Sequence, residues 1–233
     1  MKVFEKIKKV FFKIVPNYAV GAIVVTLIFN FLVFCGTKPI TESLHHYEVY
    51  TPIDSVIPLI PAFVTIYLLA FVQWLVGYLV LIRKGVNTCN KTLALLFMAK
   101  CITLVAFLVF PTTIARPDIT SGDIFSRILK LVYTIDTPYN LFPSIHCLES
   151  WIVFRETVKI KDIPKWYKIL TFVMTMLVFA STLCLKQHVF IDIPAAIITV
   201  EIAAVISNKL RVHKLFAVIN KIGIPKKWIR KRR

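Results

Sequence analysis

Acidic residues are scarce in this sequence and glycine is scarcer. Only 12 Asp or Glu stand against 29 Lys or Arg, and 233 residues include 6 glycines. From Lys209 to Arg233 there are ten basic residues and no acid. With 18% charged residues in all, the composition excludes extended disorder except at the ends. The five cysteines, Cys35, Cys89, Cys101, Cys147 and Cys184, are odd in number and form no CxxC pair. That excludes a disulfide framework and a zinc knuckle. No HExxH run occurs, and no small-x-small cleavage site follows the basic N-terminus, so a cleaved signal peptide is not expected. What is abundant is apolar. Such residues make up 58% of the chain, with a mean hydropathy of +0.75, against roughly 45–50% in soluble domains. One integral membrane domain is predicted.

The net charge of +17 invites a nucleic-acid reading, but the charges flank apolar spans and no base-stacking module accompanies them. Positive-inside topology and attraction of the basic termini to anionic lipid account for them without a nucleic-acid partner.

Residues 1–15 place Val3, Phe4, Ile7, Phe11 and Ile14 on one helical face and Lys2, Lys6, Lys9 and Lys13 on the other. This is the pattern of an amphipathic interfacial helix. Apolar spans follow at 18–36, 57–82, 93–110, 145–159, 167–186 and 188–207. A crossing takes ~20 residues, and five of the six comply. The fourth, IHCLESWIVFRETVK, is short and carries Glu149, Arg155 and Glu156. Loop charge decides its role. The 83–91 and 159–168 loops and the tail are basic, whereas 37–56 carries Glu42, Glu48 and Asp54 against Lys38 alone. Six crossings with both termini inside put every basic loop in the cytoplasm. The fourth segment is therefore read as a short crossing, with Arg155 and Lys159 snorkelling. In the long 111–144 connection, Asp123 caps a stripe of Ile124, Phe125, Ile128, Leu129 and Val132, which predicts a short helix on the outer face.

The expected fold is thus all-α, a six-transmembrane-helix bundle over 16–207, with the interfacial segment 1–15 before it and a basic cytoplasmic tail, 208–233, after it. A bacterial cytoplasmic membrane suits this build, with a reticular or Golgi membrane as the alternative.

This topology brings His146 and His188 to the outer mouths of the fourth and sixth spans. Asp192 follows His188 by four residues, predicted to share its helical face one turn deeper. A carboxylate that holds one ring nitrogen leaves the other nucleophilic, and a second histidine can act as general acid and base. Arg116 and Lys186 are candidate cations for phosphoryl oxygens. A zinc site from His146, His188 and Asp192 is the rival reading. Lys100 and Glu201 fall at nearly equal depth in the third and sixth spans, which predicts a buried structural ion pair; an ion pathway, and hence a transporter, is the alternative. His45 and His46 read as solvated loop residues.

PSIH (Pro143, Ser144, Ile145, His146) together with S-x6-H-x3-D (Ser181, His188, Asp192) resembles the type 2 phosphatidic acid phosphatase superfamily, which shares its core with vanadium haloperoxidases. The stretches FPSIH, KQHVFID and TPIDSVIPLIP are similar in style to its inositol phosphorylceramide synthase-like branch. The likeness covers roughly 50–207. It implies His188 as a nucleophile that forms a phosphohistidine, Asp192 as its orienting carboxylate and His146 as general acid. Ser144, Ser181 and Arg116, with Lys186 beside them, would bind phosphate, and no metal or organic cofactor would be needed. The family's first motif has a lysine where this chain has Val109, and its third an arginine where this chain has Thr182. The expected function is a lipid phosphate phosphatase, with lipid phosphotransferase as the alternative and a non-enzymatic transporter or scaffold ranked below both.

Overall fold

The computed structural model describes residues 11–222. Of the helix expected over 1–15, residues 11–14 are helical and Val15 forms a bend; residues 1–10, and the basic segment from 223 onward, lie outside the described residues.

The chain is mostly helical. Helix α1 is a continuous span, Asn17–Thr41, made of α-helix Val20–Phe31 followed by a π turn, Leu32–Gly36, and a last turn, Lys38–Thr41. Helices α2 (Val64–Ile82), α3 (Val86–Val109), α4 (Ile124–Ile135), α5 (Ile145–Lys159), α6 (Lys165–Cys184), α7 (Asp192–Lys209) and α8 (Val212–Ile222) follow. Among the described residues, four helices are long and apolar enough to cross a membrane: Asn17–Thr41, Pro61–Ile82, Val86–Val109 and Lys165–Cys184. A fifth arises if α7 and α8 are taken together across their 72° bend. These helices are consistent with a multi-pass membrane protein. Large apolar side chains such as Leu27, Phe31, Leu75, Trp166 and Ile169 point outward. In water that surface would be a liability; against lipid it is the solvated side.

The core lies between α3, α5, α6 and α7, where Leu96, Ala99, Leu148, Ile152, Phe179, Val200 and Ala203 pack together. Small residues let these helices approach. The closest approach is at Gly77, where an added Cβ would fall 2.3 Å from Val153 Cγ1, so α2 and α5 meet almost backbone to side-chain stem.

The loops sort to two ends. At one end β1 (Tyr47–Glu48) runs parallel to β2 (Thr112–Thr113), and Thr113 bridges Tyr139. Asn140 there donates to Thr37 Oγ1 at 3.2 Å, and the Ile60 N–H donates to the Cys184 carbonyl at 2.9 Å. At the other end Arg83 donates to the carbonyls of Lys13 and Ile14 (2.7 and 2.9 Å), and Tyr18 to that of Ile82 (2.8 Å). Helix α5 runs between these ends although its 15 residues rise only about 22 Å. Helix α4 is the one expected from Asp123, whose carboxylate accepts from the Phe125 and Ser126 N–H groups. The Ser121 and Ser126 hydroxyls hold that carboxyl below the usual carboxylate range.

Two expectations need correction. The tail expected from 208 begins instead as α8, folded under the bundle. Phe216 is buried with Ala19, Ala22 and Leu93. Asn220 accepts the Ala22 N–H and donates to Asn90, both at 2.8 Å. Its apolar stripe (Val212, Phe216, Ile219) is helical in period but interrupted by charge, so hydropathy alone passes over it.

Nor do Lys100 and Glu201 pair. Lys100, 1% exposed, meets Glu149 Oε1 at 2.8 Å. That contact has ion-pair distance without hydrogen-bond alignment, since Nζ makes no hydrogen bond. Glu201, with its side chain 48% exposed, takes a two-pronged contact from Arg155 (2.7 and 2.8 Å) and a hydrogen bond from Trp151 at 3.1 Å. Equal depth fixes height along a helix but not direction around it. Lys100 turns inward, and Glu201 turns out to the guanidinium fork that matches a carboxylate.

Candidate active site

Ser144 caps α5, its Oγ accepting the Cys147 N–H at 3.3 Å. This starts the helix so that His146 sits in its first turn. The imidazole stacks on Tyr67 with ring centroids 4.1 Å apart, and the rings of Phe71 and Trp74 close two further sides. Its Nε2 is buried without a hydrogen-bond partner.

His188 is not helical. It lies in the turn between α6 and α7, and Asp192 is the first residue of α7. The predicted shared helical face is therefore absent, but the contact is made another way. Asp192 Oδ2 reaches back to accept both the Val189 N–H (3.2 Å) and His188 Nδ1 (2.9 Å). A carboxylate can only accept, so this contact needs the proton on Nδ1, and in a neutral ring that arrangement leaves the lone pair on Nε2. The backbone of His188 is held too: its N–H donates to the Thr182 carbonyl at 3.2 Å. The rings of His146 and His188 stand 6.3 Å apart, centroid to centroid. Both line one cavity of about 370 Å³, together with Tyr67, Phe71, Trp74, Asp136, Asn140 and Glu149. The three residues expected at the chemical centre are thus brought together.

The expected phosphate-binding residues fare differently. Arg116 is near but occupied. It lies over the Tyr133 ring at 4.5 Å and donates to the Tyr133 and Asp136 carbonyls and to Gln187 Oε1. Burial lowers its pKa, with Asp136 opposing, and burial raises the Tyr133 phenol to about 12. Asp136 in turn accepts from Tyr67, the ring stacked on His146. Arg116 therefore stands one layer behind the cavity wall.

Lys186 turns away from the site. At φ 51° its backbone is left-handed, and its ammonium donates to the carbonyls of Asp54 (2.9 Å) and Ile57 (2.5 Å). Ser181 is buried and donates to its own helix at Val178. Ser144 is spent on its cap. Thr182 is buried against Cys147, and Val109 is exposed. Among the described residues that line the cavity, none is Lys or Arg. No group of three or more His, Cys, Asp or Glu among the described residues is placed to hold a metal ion, which leaves the zinc reading without a ligand set.

Asp54 is the residue that sequence reasoning missed. With Thr51 it forms a capping box, and its Oδ1 accepts the Phe190 N–H at 2.7 Å. Together with the Lys186 contacts, this makes the 51–57 segment a brace for the loop that carries His188. Thr followed three residues later by an acid was the available signal. Gln187, 1% exposed and bonded to Arg116, had none.

Compared with family models, curated proteins and solved structures, the chain matches none. A functional reading therefore rests on the geometry and on the motifs themselves.

Proposed function

We propose that this protein is a six-crossing membrane enzyme that removes or transfers the phosphoryl group of a lipid phosphate through a phosphohistidine. The observation that carries this reading is His188, its Nδ1 held by Asp192 and its ring facing His146 across one cavity. His188 Nε2 attacks phosphorus and the bond to the leaving oxygen breaks, with His146 supplying that oxygen's proton. Water or an alcohol then attacks phosphorus, His146 takes its proton, and the N–P bond breaks. Neither half requires a metal.

Phosphatase and phosphotransferase share the first half. One observation favours the second. A cavity with two carboxylates, Asp136 and Glu149, and no lysine or arginine on its wall suits a singly charged phosphodiester better than a doubly charged monoester. A panel of labelled lipid phosphomonoesters and phosphodiesters, with and without alcohol acceptors, tests both readings. Release of phosphate from a monoester, or of a phosphomonoester from a diester, marks the hydrolase and a new labelled lipid marks the transferase. If neither appears from any substrate, both readings fall.

The sorting of the loops to two ends supports six crossings with both termini cytoplasmic. The basic 83–91 and 159–168 loops lie at the end away from the histidines, where Lys84 donates to the Asp162 carbonyl at 3.4 Å. The basic termini would lie on anionic lipid. Single cysteines placed in the 37–56 and 111–140 loops are expected to react with an impermeant thiol reagent in intact cells, and cysteines in 83–91 and 159–168 to stay unlabelled. Labelling of 159–168 from outside would remove α5 as a crossing.

A further inference from the structure

Beside the cavity that holds the two histidines lies a second one, of about 310 Å³, on the side toward the opposite end of the bundle. Asn30, Trp74 and Glu149 line both. Beyond these three, and apart from Thr26 and Tyr78, the walls are apolar, with Ile23 from α1, Leu79 from α2, and Leu93 and Leu96 from α3, and Val15 and Ile82 lining it as well. From Trp74 to Ile82 the helix rises about 12 Å, well short of the ~30 Å hydrocarbon core. The junction is held in place. Trp74 Nε1 donates to Ser150 Oγ at 2.9 Å, and Glu149 is fixed by Lys100 and the Tyr78 hydroxyl.

We propose that the second cavity receives one hydrocarbon chain of the lipid whose phosphate meets His188, and that its depth sets a chain-length preference. The inference rests on the lipid-phosphate reading above. Its physical ground is the order of the two chambers. An amphiphile carries its phosphate at the boundary between polar and apolar parts. Here a chamber with two histidines and two carboxylates adjoins, at Asn30, Trp74 and Glu149, a mainly apolar one that lies toward the other end of the bundle. A chain drawn into that chamber leaves lipid for an equally apolar wall, so little solvation is lost, and the phosphate is held at the depth of the histidines.

The test uses lipid phosphates of one head group and increasing chain length, presented in mixed micelles, with a water-soluble aryl phosphate as internal standard. In the parent, kcat/KM should climb with chain length until the chamber is filled and then level off. Leu79→Trp or Ile23→Trp shortens the chamber, and should lower the ratio of long-chain to short-chain kcat/KM by about tenfold or more, because a chain that no longer fits holds its phosphate away from the depth of the histidines. A folded variant whose chain-length profile matches the parent's would overturn the proposal. So would an equal loss at every length.

A second measurement does not depend on turnover. A lipid phosphate with a diazirine at its chain end, bound to the His188→Ala protein, should label the segments around Ile23 and Leu93. Labelling confined to outward-facing Val72 and Val105 rules the chamber out even in an active enzyme. Labelling inside it, with every lipid phosphate inert in the parent, keeps the chamber and removes the catalytic reading.

Discussion

His188→Ala is expected to leave no turnover and no covalent phosphoprotein, because the imidazole whose Nδ1 is held by the Asp192 carboxylate is gone. His146→Ala should retain the phosphoenzyme but cost on the order of 10²–10⁴ in rate, the usual worth of a positioned general acid. An aryl phosphate with a good leaving group needs little protonation on departure, and should recover part of that loss. Asp192→Asn keeps a partner near Nδ1 but removes the charge that favours the attacking tautomer, and frees the Val189 N–H contact to weaken; its rate should fall between the other two. Vanadate, five-coordinate like a phosphoryl group in transfer, should inhibit the parent and protect His188 from alkylation, while chelators should change nothing. The measurements are acid-labile phosphate on the protein and single-turnover rates. Activity surviving in His188→Ala would end the phosphohistidine account, and loss on chelation would revive a metal.

The second large effect is on stability. Lys100→Met or Glu149→Gln alone should destabilise the protein by about 3–5 kcal/mol, because each leaves a charge buried without its counterion. The double change to Met and Gln should recover much of that loss. The Tyr78 hydroxyl, which donates to Glu149, can still donate to an amide oxygen. Unfolding in detergent followed by loss of helix signal measures all three. Singles as stable as the parent would show that the charges are relieved by water or by lipid head groups. Because Glu149 also lines the cavity of the two histidines, stability and activity must be read separately for these variants.

What could be read in the chain followed from where its physics is local. The position of His146 is written in Pro143 and the capping Ser144, and that of α4 in Asp123. The gathering of His146, His188 and Asp192 was legible because, in a run of antiparallel helices, chain order decides which helix ends lie together. Direction around a helix was not legible. Lys186 stands two residues from His188, yet a left-handed backbone at that position sends its ammonium to the 51–57 segment. Lys100 and Glu201 have the right depth and the wrong azimuth for each other. Long-range polar contacts such as Asp54 to Phe190 connect residues 136 apart, and no periodicity reports them.

The tie between Asn220, Ala22 and Asn90 has a consequence for how the molecule is made. A ribosome delivers α1 before α8, so the Ala22 N–H must wait for nearly two hundred further residues before its acceptor exists. Until then that end of α1 can lean on α3 but cannot lock to it. Helix α1 is thus latched only once α8 has been made, and its wall of the proposed lipid chamber closes after that. Chains cut short at the α7–α8 bend would carry every residue of the proposed chemistry and still leave that wall unlatched.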